Sequence, residues 1–240
     1  MAILFISDLH LSPERPVVTR AFLRFLDKQA STAEALFILG DLFEVWVGDD
    51  DSCPTGIEVQ NGIRQIVNKG VAVFIQHGNR DFLIGKRFAR DTGATMLADE
   101  HLVEYRDQTA LLMHGDTLCT DDVDYIRFRR KIRHPATMWL LRLLPLNFRQ
   151  KLANNMRAKS KAANANKPSA IMDVNAKAVD AVMDKYQIGT LIHGHTHRPA
   201  RHAVANGERI VLGDWHDQGW YIVWDNAGLK LECFDIVVSG

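Results

Sequence analysis

The chain has 240 residues, 47% hydrophobic and 24% charged, with 16 glycines and 7 prolines, an ordinary globular composition that excludes a disordered, collagen-like or repeat-built protein. Its 29 basic and 29 acidic residues cancel, so no generally polyanion-coating surface is expected. Cys53, Cys119 and Cys233 lie far apart with no CxxC pair, which points to a reducing compartment rather than a zinc knuckle or redox pair.

In chain order, short apolar runs alternate with helical patterns: strands over 3–6, 35–39 and 71–76, and helices over 17–29 and 57–69. That alternation predicts a parallel α/β sheet. Each of these strands ends in a polar cluster, SDLH, GDLFE and HGNRD, at the carboxyl end where open α/β sheets gather ligands. Further strands are predicted at 102–105, 110–113 and 190–192. After Pro199, runs at 209–212, 221–224 and 229–234, separated by turn signals, read as antiparallel strands of a second sheet.

Residues 121–167 differ from the rest, being helical by pattern with 12 Lys or Arg against three acids, a local charge of +9. Met138, Trp139, Leu140, Leu141, Leu143, Leu144, Leu146 and Phe148 interleave with those charges. Such a segment suits an anionic, greasy partner, or else a hairpin that packs its apolar face on the sheet and turns its basic face to water. Before Asp8 there is only a brief apolar run without a basic flank, and no stretch approaches the roughly 18 apolar residues of a spanning helix. Neither signal peptide nor anchor is expected, and the cytosolic side is the expected location.

Five polar clusters carry the chemistry: Asp8xHis10, Gly40Asp41xxGlu44, Gly78Asn79Arg80Asp81, His114Gly115Asp116 and Gly194His195xHis197. Singly each is weak, since GlyAsp is common in turns and a lone histidine is often a satisfied core residue. Together they follow apolar runs that one sheet edge could align, and they offer seven oxygen and nitrogen ligands. Seven are too many for one tetrahedral zinc and suit two ions sharing a carboxylate, with manganese, iron or zinc preferred to a soft metal. Two such ions favour in-line attack on phosphorus, so phosphoester or pyrophosphate hydrolysis is the expected reaction class.

This ordered set resembles the calcineurin-like metallophosphoesterase family over Asp8 to His197. The resemblance implies an α/β sandwich of two mixed β-sheets flanked by helices, a single domain over 1–240 with a helical lid at 121–167. Carried over by motif, Asp8, His10, Asp41 and His197 would hold one ion and Asp41, Asn79, His114 and His195 the other. One departure is GNRD where the family commonly has GNHD, placing Arg80 where a cationic histidine usually stands beside the leaving group. Arginine stabilises phosphate charge but donates protons poorly, which fits a phosphoanhydride better than an alkyl ester.

With GDLFEVWVGDD, HGNRDFLIGKRFA, LIHGHTHRPA and VLGDW, the sequence is similar to the UDP-2,3-diacylglucosamine pyrophosphohydrolases of Gram-negative lipid A biosynthesis. That resemblance implies two Mn2+ ions per chain, UDP-2,3-diacylglucosamine as substrate, and UMP and 2,3-diacylglucosamine 1-phosphate (lipid X) as products. It implies catalytic roles for Asp41, Asn79, Arg80, His114 and His195, and substrate contacts from Asn79, Arg80, Asp122, Ser160, Asn164, Lys167 and His195. It further implies a peripheral position on the anionic cytosolic face of the inner membrane, with no nucleic-acid partner.

Competing readings are a soluble nucleotide substrate, a nuclease and a metal-free binding scaffold. The leucine-rich run weighs against the first two, because a backbone track would interleave aromatic with basic residues. All seven ligand positions carry ligating side chains, which weighs against the third. His77 and His193 are expected to pack or support rather than ligate, and His202 and His216 lack partners at ligand spacing. Cys119 reads as a small buried hydrophobe, Asp49, Asp50 and Asp51 as a solvated loop, and Trp46 and Trp139 as groove or core.

Overall fold

The computed structural model describes residues 2–164 and 173–237. The first sheet has the order β11 (Gly228–Asp235), β10 (Gln218–Asp225), β1 (Ile3–Ile6), β2 (Ala35–Leu39), β3 (Ala72–Gln76) and β4 (Thr95–Met96). β1 to β4 run parallel, while β10 is antiparallel to both β1 and β11. The second sheet has the order β5 (Glu100–Tyr105), β6 (Gln108–Met113), β7 (Thr190–His193), β9 (Gly207–Val211) and β8 (Ala200–Val204). Its central strands β6, β7 and β9 are parallel and its outer ones antiparallel.

Because successive strand side chains point to opposite faces, each apolar run serves two layers. Phe5, Phe37, Leu39, Leu112, Ile192, Ile210 and Trp224 fill the space between the sheets. Leu4, Ile6, Leu36 and Ile38 instead meet α1 (Pro16–Lys28), α2 (Pro54–Asn68) and α3 (Lys86–Thr92). Leu111, Met113 and Leu191 meet α7 (Ala176–Tyr186). In α1, Pro16 starts the helix, and Val18, Ala21, Phe22, Phe25 and Leu26 recur at helical spacing to bury one face. The result is the two-sheet sandwich with flanking helices that the motifs implied.

One expectation is corrected. The strands after Pro199 do not form a second sheet by themselves: β9 pairs with β7 in one sheet, whereas β10 and β11 extend the edge of the other. Turn signals report reversals along the chain but not which exposed strand edge receives the next strand.

The basic segment folds as α4 (Val123–Ile132), α5 (Pro135–Leu143) and α6 (Leu146–Asn164). Its apolar face does not simply pack on the sheet. Leu141 is buried and Met138 touches the core, but Trp139 is 64% exposed, Leu143 60%, Leu140 55% and Phe148 54%. Arg149 is buried instead, pairing with Asp50 and donating to the carbonyl of Val47. The acidic run is correspondingly not a free solvated loop. Asp49 accepts from the backbone of Gly85, Arg87 and Phe88 at 2.9 to 3.0 Å at the start of α3, and Asp51 accepts from Cys53 N at 3.1 Å. Trp46 belongs to the core, stacked on Phe43, and Cys119 is buried. Among the described residues no helix is long and apolar enough to cross a membrane.

Candidate active site

The polar clusters follow the carboxyl ends of β1, β2, β3, β6 and β7, all of them parallel members of their sheets. The clusters therefore lie not on one sheet edge but where the ends of two sheets meet. Cross-links knit the loops together: Asp8 N donates to Gly40 O at 3.1 Å, Gly194 N to His114 O at 2.9 Å, and His195 N to Asp8 Oδ2 at 2.8 Å. Asp81 joins two motifs, accepting from Gly78 N and Leu42 N, each at 2.8 Å. Glycine is required where these loops cross. A Cβ at Gly78 would lie 2.0 Å from Asp41 Oδ1, and one at Gly194 would lie 2.1 Å from Asp8 Oδ2.

Asp8, His10, Asp41, His195 and His197 have φ between 50° and 67°, the left-handed region that is uncommon for residues with side chains. The other described non-glycine residues with positive φ are Arg106, Asp107 and Gln187. Backbone strain is thus concentrated in the loops that aim these side chains, as functional sites often show.

Two groups of donors result. Asp8 Oδ1, His10 Nε2 and His197 Nε2 converge, with the two ring nitrogens 3.2 Å apart and Asp8 Oδ1 3.3 Å from His197 Nε2. Asp8, Asp41 and His114 form the second group. Asn79 adjoins it, its Oδ1 3.0 Å from both His114 Nε2 and His195 Nδ1. Asp41 Oδ2 lies 3.9 Å from His10 Nδ1 and 3.9 Å from His114 Nε2, between the two groups. All seven expected ligand residues are therefore brought together.

The donor set fits divalent cations. Asp8 Oδ1, which points into the first group, is buried with no hydrogen-bond partner, an expensive state that a cation would relieve. Burial, with Asp81 and Asp8 nearby, pushes Asp41 up to about 7 against the pull of His114. Burial strips charge from His195, lowering it to about 4, and pushes His10 well down. His197 is raised to about 10: burial opposes this, but contacts with Asp214 and Asp8 outweigh it. His114 Nδ1 faces the carbonyl of Leu39 at 2.9 Å, leaving Nε2 toward Asn79.

The remaining expected residues divide. Arg80 is at the site, with its Nε 3.6 Å from Asp41 Oδ2 and its Nη1 paired with Glu44. Asp122 caps α4, accepting from Tyr125 N at 3.1 Å. Ser160 is exposed on α6, one turn beyond Arg157, which also reaches Glu44. Asn164 ends α6, and Lys167 lies outside the described residues. His77 and His193 take supporting places, contacting the carbonyls of Ile84 and Gly194.

The residue reading assigned no role to Glu44, Asp81, Asp116 or Asp214. Asp116 is buried, accepts from Tyr125 Oη at 2.5 Å and Arg129 Nε at 2.6 Å, and so ties α4 to the His114 loop. The Tyr125 ring stacks on His195 at 6.1 Å. Glu44, Asp81 and Asp116 stand two or three residues from an expected ligand, which was the available signal, whereas Asp214 in VLGDW has no ligand near it in the chain.

A family model described as calcineurin-like phosphoesterase matches residues 1–199. The chain belongs to this family. Among its curated relatives, the UDP-2,3-diacylglucosamine hydrolase of Ectopseudomonas mendocina (strain ymp) is 51% identical over 98% of each chain. The protein of the same name from Enterobacter sp. (strain 638) is 52% identical over 96% of this chain and 98% of its own. A solved phosphoesterase from E. coli aligns over 99% of this chain and 100% of its own, at 18% identity and a TM-score of 0.48. The phosphoesterase match ends two residues beyond the last histidine of the cluster, so it spans every expected ligand and leaves β8 to β11 outside.

Proposed function

We propose that this phosphoesterase hydrolyses the pyrophosphate bond of UDP-2,3-diacylglucosamine at the α-phosphorus, giving UMP and 2,3-diacylglucosamine 1-phosphate in lipid A biosynthesis. The observation that carries the reading is end-to-end similarity, 51% and 52% identity, to relatives named as hydrolases of that compound. Asp8, His10, Asp41 and His197 would hold one Mn2+ ion, and Asp41, Asn79, His114 and His195 a second. Ions held there supply Lewis-acid polarisation of the phosphoryl group and lower the pKa of a water.

The chain's own residues do the rest. Water adds its oxygen to the α-phosphorus and gives up a proton to solvent while the bond to the bridging oxygen breaks, and the β-phosphate leaves with the acylated sugar. Arg80, with a fork of N–H donors at the cluster, binds the developing charge on phosphate. It holds that charge without donating a proton, and a phosphate leaving group needs none. Asn79 and His195, with Asp122, Ser160, Asn164 and Lys167, bind the sugar phosphate. Residues 121–167 act as a lid within a single domain spanning 1–240, their apolar side chains taking the acyl chains. Exposed Trp139, Leu140, Leu143 and Phe148 among basic residues would hold the protein at the anionic inner-membrane surface, on its cytosolic face.

The test is hydrolysis by the metal-stripped protein, with and without added Mn2+, of UDP-2,3-diacylglucosamine and of deacylated UDP-glucosamine. Manganese-dependent UMP release from the acylated compound alone is expected. Equal turnover of both would overturn the lipid assignment and move the function to a soluble diphosphate.

A further inference from the structure

β9 leads into a turn, Leu212 to Trp215, that lies beyond the phosphoesterase match and supplies none of the seven expected ligands. The turn is fastened at both ends to loops that do. Leu212 N donates to His193 O at 2.8 Å, and Trp215 N donates to Asp8 O at 3.1 Å. Trp215 is fully buried, edge-on to Phe22 and Phe25, and its Nε1 donates to Trp220 O at 2.9 Å. Arg15 Nη2 closes the turn from outside, donating to Trp215 O at 2.8 Å. Asp214 is therefore delivered between two anchored neighbours rather than from a free loop.

Its carboxylate meets one ligand residue. Asp214 Oδ2 lies 3.5 Å from His197 Nδ1, while the opposite ring nitrogen, Nε2, faces Asp8 Oδ1 and His10 Nε2. A histidine can ligate only through a nitrogen without a proton, so the partner of the other nitrogen selects the tautomer and fixes the ring. His197 has particular need of such a partner: its backbone is in the left-handed region at φ 55°, and its side chain is 32% exposed.

We propose that Asp214 is the positioning residue for His197, accepting the Nδ1 hydrogen and so presenting a bare Nε2 to the cation shared with Asp8 and His10. This rests on the ion-binding half of the proposed function and not on its lipid substrate. Three of the expected ligands then have distinct supports. His114 is oriented by the Leu39 carbonyl, Asp8 by Ser7 Oγ and the backbone of His195, and His197 by a carboxylate from the far end of the chain.

The test is Mn2+ titration of the metal-stripped full chain by calorimetry, with electron paramagnetic resonance of the loaded protein, for wild type, Asp214→Ala and Asp214→Asn. Losing the acceptor should weaken one of the two ions by about 10 to 100-fold and leave the other unchanged, with unaltered melting. The signal of coupled manganese should give way to that of an isolated ion, and excess Mn2+ should restore it. The amide oxygen still accepts a hydrogen bond, so Asp214→Asn should lose less, and it decides the matter if the alanine variant fails to fold. Unchanged affinity at both sites, or equal weakening of both with a lowered melting temperature, overturns the assignment. A wild-type protein that takes up no manganese overturns the ion-binding reading and this assignment together. Failure to hydrolyse the lipid nucleotide touches neither.

Discussion

Arg80 is the residue on which the phosphoanhydride reading turns. Its contacts are with Asp41 and Glu44, and its place at the cluster suits charge stabilisation rather than ligation. Arg80→Ala should lower kcat/KM by about 100 to 1,000-fold, in line with loss of one preorganised donor, while Mn2+ binding by calorimetry stays within about twofold. Asp41 gives the pH dependence. Burial raises it to about 7, and a carboxylate must be deprotonated to ligate, so metal binding releases its proton. Affinity for Mn2+ should therefore fall by about tenfold or more per pH unit below about 7, and titration in buffers of different ionisation enthalpy should show proton release. The donor types were legible because Asp, Asn and His appear in the chain as letters. Their supports were less so, since nothing local distinguishes Asp81 or Asp214 from any acid in a turn.

At the scale of elements, the loops after β2 and β3 are coupled through Asp81, whose two oxygens serve Gly78 N and Leu42 N. Asp81→Ala leaves two buried N–H groups without partners and should cost about 3 kcal/mol in urea unfolding of the metal-free protein. α5 behaves differently. Leu140 and Leu143 are exposed, so Leu140→Glu with Leu143→Glu should leave melting within about 2 °C and Mn2+ affinity unchanged. Sedimentation with phosphatidylglycerol vesicles should drop by about tenfold or more, through lost apolar burial and added repulsion. Equal sedimentation of the two proteins would remove the membrane role from this helix. The sequence gives helix positions here by periodicity, but the outward face of α5 arises because Arg149 and Leu141 take the inward places.

The whole molecule is a sandwich whose inner strands must carry polar chemistry at one end without wetting the core. His193 marks that boundary, buried behind the ligand loops and contacting Gly194 O and Arg209. Burial lowers it to about 3, so it is neutral when folded and gains a proton on unfolding below its ordinary value near 6.5. Its contribution is complete above about 6.5 and is lost as pH falls toward about 3, because the unfolded chain binds more protons in that window. Between pH 7 and 5 the metal-free wild type should lose about 2 kcal/mol more stability than His193→Gln, measured by urea unfolding at each pH.

Residue types, their order and their position after apolar runs determined the class of chemistry in this protein, because ligand identity and strand ends are local properties of the chain. The parallel part of the first sheet was legible for the same reason, since β1, β2 and β3 each precede a polar motif and two helices separate them. Tertiary structure alone decided which sheet β10 joined, which apolar residues of α5 faced outward, and that Asp214 reached His197. It also decided the left-handed backbone at Asp8, His10, Asp41, His195 and His197. Those outcomes depend on closure between segments far apart in the chain, 187 residues at His10 and His197 and 221 at Ile3 and Trp224, and a juxtaposition made by packing has no counterpart in local spacing.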